Sequence, residues 1–289
     1  MKEYAIELDT NGREISRDNT IGKNMYFIEG LCKGDLNNPS SLEHRTIKWY
    51  DENVLSKIYD PNAKFDDRKL RIDSATFIGD GILFRMGHSH FKEYKEPIDD
   101  PSKAEEWVKM GNVYFNDPCA FLPRAPGATG VVLTSDKHLI IGQREVGDGS
   151  MYEGCLQVTG GHIDFRENLY NLNVEGDVTR EAGEMRVKPE NIESLVFLGL
   201  FSNTKIGGSD VDFSYLIKTD IHSEFYTSGE WREVDDNEEL EHSKNILDIP
   251  NYDSLQELLI TNEFEGKETK DFIFSTRGIL ENIREGDLK

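Results

Sequence analysis

The spacing of apolar and polar positions predicts a succession of short strands broken by a few helices. Residues 2–9 (KEYAIELD) alternate and predict a strand, while residues 10–40 carry turn pairs at Asn11-Gly12 and Asn38-Pro39 and no evident chemistry. From Ser41 to about Ile58, apolar Ile47, Trp49, Leu55 and Ile58 predict a helix. Leu70 to Ile78 alternates, and Ile82 to Met86, beyond Gly79-Asp80-Gly81, predicts its hairpin partner. A short helix is predicted over Ser102 to Met110, opened by Pro101-Ser102.

Beyond the prolines at 118, 123 and 126 the pattern becomes regular. Strands are predicted at 130–133 and 139–142, joined by a turn at Ser135-Asp136, and at 155–158, running into Gly160-Gly161. A helix ending near Val187 follows, then strands at 195–201 and 213–217, then helices at 252–260 and 269–284. The last helix is predicted to turn Phe272, Ile279, Leu280 and Ile283 inward. Strands alternating with helices favour a layered α/β domain. The prolines mark the nearest thing to a boundary, giving an N-terminal α+β extension over 1–125 and a main domain over 126–289.

Composition narrows the partners. The chain has 289 residues and a formal charge of −22, which argues against nucleic acid, since a phosphate backbone needs a basic face. No apolar run is long enough to span a membrane. The start, MKEYAIELDT, carries acids early and no apolar segment, so secretion is not expected. Cys32, Cys119 and Cys155 are widely spaced and form neither a disulfide framework nor a zinc spacing. A reducing, cytoplasmic setting is expected. The same negative charge would repel a nucleotide unless metal ions neutralise part of the site. Residues 230–241, with Trp231, read as a solvated acidic connector.

The chemistry concentrates in residues 160–187. On a helical wheel at about 100° per residue, Val174, Val178, Ala182 and Met185 form one stripe. Asp177, Glu181 and Glu184 form another, roughly 90° away. Acids at such spacing repel each other by a few tenths of a kcal/mol per pair, and a bound cation removes that repulsion. Carboxylates are the ligands hard Mg²⁺ takes, one or two at a time with waters and substrate phosphates. Gly160-Gly161 lets the backbone approach phosphate or metal closely. Arg180 is a candidate to orient Glu181 or Glu167 by a charge-assisted hydrogen bond. Cys155, on a predicted core strand, reads as a buried apolar residue rather than a nucleophile.

Gly160-Gly161, Glu167 and Arg180-Glu181-Ala182-Gly183-Glu184, in that order, resemble the Nudix box, whose helix reads R-E-U-x-E-E-x-G-U with U a bulky apolar residue. Three features depart from it. Twelve residues separate Glu167 from Arg180, more than the pattern has; Met185 replaces the second Glu of the E-E pair; Val187 replaces the closing Gly. Met185 completes the apolar stripe, which gives that change a structural reason.

The flanks resemble the UDP-glucose/UDP-galactose pyrophosphatases of eukaryotes and their plant relatives within this superfamily. The shared features are Gly160-Gly161-His162 and a long gap before the helix. Lys69 to Phe77, Leu83 to Gly87, Asp117-Pro118, Arg144 at a strand end, and Gly199 to Thr204 with Asn203 follow in the same order. Ile163-Asp164 stands where those proteins have Pro-Glu, so the third acid is Glu167 or Asp164.

The resemblance implies a Nudix-type α/β/α sandwich with an N-terminal extension. It also implies hydrolysis of a UDP-sugar to UMP and sugar 1-phosphate by water, with Mg²⁺ (or Mn²⁺) held by Glu181, Glu184 and Glu167. Arg144, Gly160, Gly161, His162 and Asn203 would face the substrate, and Arg180 would support catalysis. Glu181, Glu184, Asp210 and Asp212 remain open as the base. Two other readings stand beside this one: a Nudix pyrophosphatase for ADP-ribose or a dinucleotide, and a Nudix domain that binds a nucleotide without turnover.

Overall fold

The computed structural model describes residues 4–6, 25–29, 68–78, 81–116, 120–144, 154–163, 174–203, 210–228, 245–264, 267–268 and 272–289. The helix expected over 41–58 and the acidic segment 230–241 lie outside these residues. The fold is mixed α/β, as the alternating pattern predicted. Two compact units divide the chain. The first comprises Met1–Gly127, His162–Asn173 and Ser202–Asp212; the second comprises Ala128–Gly161, Val174–Phe201 and Phe213–Lys289.

In the first unit, β1 (Tyr4–Ile6) and β2 (Met25–Glu29) precede the hairpin of β3 (Arg68–Ile78) and β4 (Gly81–His90). The hairpin pairs from Arg68↔His90 to Ile78↔Gly81 with a bulge near Ile72, and β2 runs parallel to β4. The hairpin is the one the alternation predicted. A strand at 25–29, inside the stretch read as turns, was not.

Two helices follow, α1 (Phe91–Asp99) and α2 (Pro101–Phe115). The sequence predicted only the second. Pro97 sits inside α1, and a residue that lacks an N–H reads as a breaker. Asp100 caps α2, accepting from the Ser102 N–H at 3.1 Å and hydroxyl at 2.6 Å, with Pro101 in the first turn where its missing N–H costs nothing. The cap is therefore Asp100 rather than Pro101-Ser102, and the helix runs on to Asn116, whose left-handed φ of 53° ends it.

Arg71 of β3 anchors this unit. It is 3% exposed and donates to the backbone carbonyls of Leu122 and, at 2.9 Å, Ala120. Buried carbonyls without donors cost about 1–3 kcal/mol each.

The second unit is built on one sheet, with β9 (Ile192–Asn203), β10 (Asp210–Thr219), β5 (Ala125–Leu133), β6 (Leu139–Gln143) and β11 (Asn245–Ile249) in that spatial order. β6 runs antiparallel to both β5 and β11. The short strands β7 (Leu156–Gln157) and β8 (Thr159–His162) attach to β6 and β5 respectively.

Every residue of β5 is buried, so both its faces are covered, as in a layered sheet. Helix α3 (Val174–Glu184) lies over it. At Gly130 a Cβ would fall 2.5 Å from Ile217 Cδ1 of β10, while Val178 Cγ1 of α3 would stand at 3.4 Å, in ordinary contact. The predicted stripe of Val174, Val178, Ala182 and Met185 is wholly buried.

Beyond β10 come α4 (Glu224–Thr227), α5 (Tyr252–Thr261), the small hairpin of β12 (Glu263–Phe264) and β13 (Lys267–Glu268), and α6 (Phe274–Asn282). The last helix is shorter than predicted, yet Phe272, Ile279, Leu280 and Ile283 are all buried. Thr276 Oγ1 accepts from Val158 N–H at 3.0 Å, and Ile273 N–H donates to Leu156 at the same distance, tying α6 to β7. No helix among the described residues is long and apolar enough to cross a membrane.

At the β5–β6 turn, Asp136 accepts from the Ser223 N–H at 2.9 Å and hydroxyl at 2.7 Å. Burial works to raise its pKa, but hydrogen bonds from the Ser223 and Thr134 hydroxyls and the Ser223 N–H outweigh it. They hold the carboxyl well below the usual carboxylate range. A depressed folded pKa contributes stability that is complete above the unfolded value of about 4 and lost as the pH falls below it.

Two outcomes are expected. Urea unfolding should show wild-type stability declining below about pH 4, and a shallower decline in Asp136→Asn, which is already weaker at pH 7. Arg71→Met should lower stability by about 2–4 kcal/mol, because two buried carbonyls lose their donor.

Candidate active site

The site is assembled from β8 and α3, both built around small residues. Gly160 has φ of 158°, and a Cβ there would lie 2.4 Å from Thr129 Cγ2 and 2.9 Å from both the Ala128 oxygen and Thr129 Cα. Strand β8 therefore lies directly on the β5 backbone. Gly161 faces α3 instead: a Cβ there would lie 2.7 Å from each carboxylate oxygen of Glu181. Thr159 completes the attachment, its hydroxyl donating to the Glu181 backbone carbonyl.

Glu181 is 3% exposed and Asp177, one turn earlier, 1%. The acidic stripe of the wheel is thus turned inward at these two residues. Isolated carboxylates are costly to bury, and Glu181 has a counter-charge: Arg180 Nη2 bonds its Oε1. Glu184, one turn further on, is half-buried.

The helix ends in a Schellman motif. Val187 N–H donates to Ala182 O at 3.1 Å and Arg186 N–H to Gly183 O at 2.8 Å, with Arg186 left-handed at φ 54°. The residue needing positive φ is 186, so position 187 requires no glycine, and Val187 is fully buried. That accounts for the missing closing glycine.

Arg144 follows directly on β6. Its N–H donates to Cys155 O at 3.0 Å and its Nη1 to Gln157 Oε1 at 3.2 Å, so the structure ties it to β7. Cys155 itself is in no disulfide and is half-buried rather than buried as expected.

His162 ends β8, half-buried, its ring edge-on to Tyr94 with centroids 4.1 Å apart and to Phe91 at 6.3 Å. These two α1 residues are missing from the sequence reading. The signal for them was an aromatic pair three apart in a helix hidden by its proline. Ile163 closes the strand, its N–H donating to Pro126 O at 2.9 Å and its carbonyl accepting from Leu70 at 3.2 Å.

Asp212, one of the residues left open as base, is buried on β10. Glu167 and Asp164 lie outside the described residues, as do the side chains of Asn203 and Asp210. Among the described residues no three His, Cys, Asp or Glu side chains gather as a metal centre. Glu181 and Glu184 remain as two oxygen donors on successive turns of one helix.

No family model and no curated protein matches the chain. Among solved structures it is similar to a mutT/nudix family protein from Listeria innocua. That likeness has 18% identity and a TM-score of 0.36, over 55% of this chain and 90% of that one.

The two glycines should fail differently. Gly160→Ala pushes a methyl into the backbone of β5 and is expected to destabilise the fold by about 1–3 kcal/mol. Gly161→Ala meets the carboxylate end of Glu181 rather than backbone, so its melting temperature should fall less than that of Gly160→Ala while any activity that depends on that carboxylate falls. Thermal melts paired with activity assays compare the two.

Proposed function

We propose that this protein is a Nudix-type hydrolase that cleaves the diphosphate of a UDP-sugar to UMP and sugar 1-phosphate by water attack, in the cytoplasm. The observation that carries the reading is the Glu181 carboxylate, buried against Gly161, bonded by Arg180, and followed one turn later by Glu184. The resemblance of Gly160-Gly161-His162 and its flanks to UDP-sugar pyrophosphatases supports the choice of substrate.

The donor set suits a hard cation. Two carboxylates are what Mg²⁺ takes from a protein, leaving other positions to water and substrate phosphate, and only a glycine at 161 leaves the Glu181 oxygens where they are. Glu181 and Glu184 would hold the ion, with Glu167 or Asp164 as a third acid. When bound, Mg²⁺ supplies charge neutralisation of the diphosphate and a more acidic water.

The chain's own residues supply the rest. Arg180 fixes the Glu181 carboxylate, and Thr159 fixes the helix turn that carries it. Arg144, steadied by Gln157, is the candidate to neutralise a phosphate oxygen. His162, packed against Tyr94, and Asn203 complete the proposed substrate contacts. The small-molecule diphosphate is the partner this site fits.

With Mg²⁺, purified protein is expected to release UMP from UDP-glucose or UDP-galactose, and EDTA to abolish this. A panel of UDP-sugars, ADP-ribose and dinucleotides left intact with Mg²⁺ or Mn²⁺ would sink the hydrolase reading. Cleavage of ADP-ribose alone would move the substrate and keep the chemistry. Glu181→Gln should cut kcat by roughly two to four powers of ten with an unchanged melting temperature.

A further inference from the structure

A groove of about 1240 Å³ runs along the side of α3 that faces away from the apolar stripe. Its floor is Gly176, Thr179, Arg180 and Gly183, which recur at one-turn spacing along α3. Glu184, one of the two proposed metal ligands, lines the groove as well. Phe225, 43% exposed, and the chain leaving α3 also line it.

The charge of this groove runs against that of the molecule. Arg180, Arg186 and Lys188 line it, opposed by Glu184 and Glu190, in a chain carrying −22 overall. Arg186 lines it from a left-handed residue, a conformation that costs an L-residue roughly 1–2 kcal/mol and that glycine adopts freely. On the floor, a Cβ at Gly183 would meet nothing within 4 Å. No packing among the described residues requires glycine there, although alanine would favour the helix by about 1 kcal/mol.

We propose that this groove binds the non-reacting end of the nucleotide substrate when that end carries an oxyanion, a carboxylate or a phosphate. Arg186 and Lys188 meet the anion, and the remainder of the group lies on the open backbone of α3. The enzyme then prefers nucleoside diphosphates whose far group is charged over those ending in a neutral hexose. This rests on the hydrolase reading for its chemistry, but the binding is measurable without turnover.

Calorimetric titrations with UDP-glucose and UDP-glucuronate, run in EDTA and with Ca²⁺ in place of Mg²⁺, test the proposal. Wild type is expected to bind the glucuronate about tenfold tighter at low salt, with the preference shrinking as salt rises. In Arg186→Gly combined with Lys188→Gln the preference should fall to about twofold or less. Glycine suits the left-handed position, so that variant should fold, and its thermal melt checks this. A dinucleoside triphosphate serves as the phosphate arm: tight binding lost in the variant assigns phosphate as well as carboxylate, and weak binding restricts the groove to carboxylates.

Equal affinity for the two UDP-sugars, no binding of either, or a preference untouched by the double substitution overturns the proposal. The two readings fail separately. Preferential binding without hydrolysis by Mg²⁺-loaded protein removes the hydrolase and leaves the groove. Hydrolysis at equal kcat/KM for both substrates removes the groove and leaves the hydrolase.

Discussion

The Glu181 carboxylate lies in the interior, and the neighbouring structure is what makes that position tolerable. Removing such a group from water costs several kcal/mol unless charge and hydrogen bonds replace the lost hydration. Arg180 provides the opposite charge, and the missing side chain at Gly161 provides the space. The carboxylate can stay there only while α3 and β8 keep their separation. Two contacts hold it: the Thr159 hydroxyl on the Glu181 carbonyl, and the seating of Val178 over Gly130. Strand β8 in turn rests on β5 through Gly160. Backbone of β5, backbone of β8 and the acid of α3 thus form a stack whose spacing is set by glycines, and the other site residues take their places from it.

Much of this was legible from periodicity. The stripe from Val174 to Met185 was readable because packing against a sheet needs one continuous apolar face, and that face is buried as the wheel required. The inward turn of Asp177 and Glu181 was not, since a wheel reports direction relative to the helix and says nothing of what covers it. Strand β5 begins at Ala125, among a proline and two glycines that no propensity would place in a strand. Burial on both faces overrides local preference there. Helix α1 was hidden by Pro97, and with it Tyr94 and Phe91, whose meeting with His162 links residues far apart in the chain. The glycine looked for at 187 had no counterpart because the left-handed residue falls at Arg186.

The pairing of Arg180 with Glu181 joins two surfaces of α3. Glu181 belongs to the side facing β8, while Arg180 also lines the groove. The residue that fixes the acid on one side thus also borders the groove on the other.

The contact between Gly161 and Glu181 also bears on chain length. It brings together positions 161 and 181, well apart in the chain, and the absence of a side chain at 161 is what makes it possible. For a flexible loop the entropic cost of closure rises only logarithmically, about 0.6 kcal/mol for each doubling. By that scaling, chain added ahead of Val174 costs little, whereas one extra methyl at 160 meets the backbone of β5. In this architecture, tolerance to change is measured in Cβ atoms on β8 and in whole residues a few positions later.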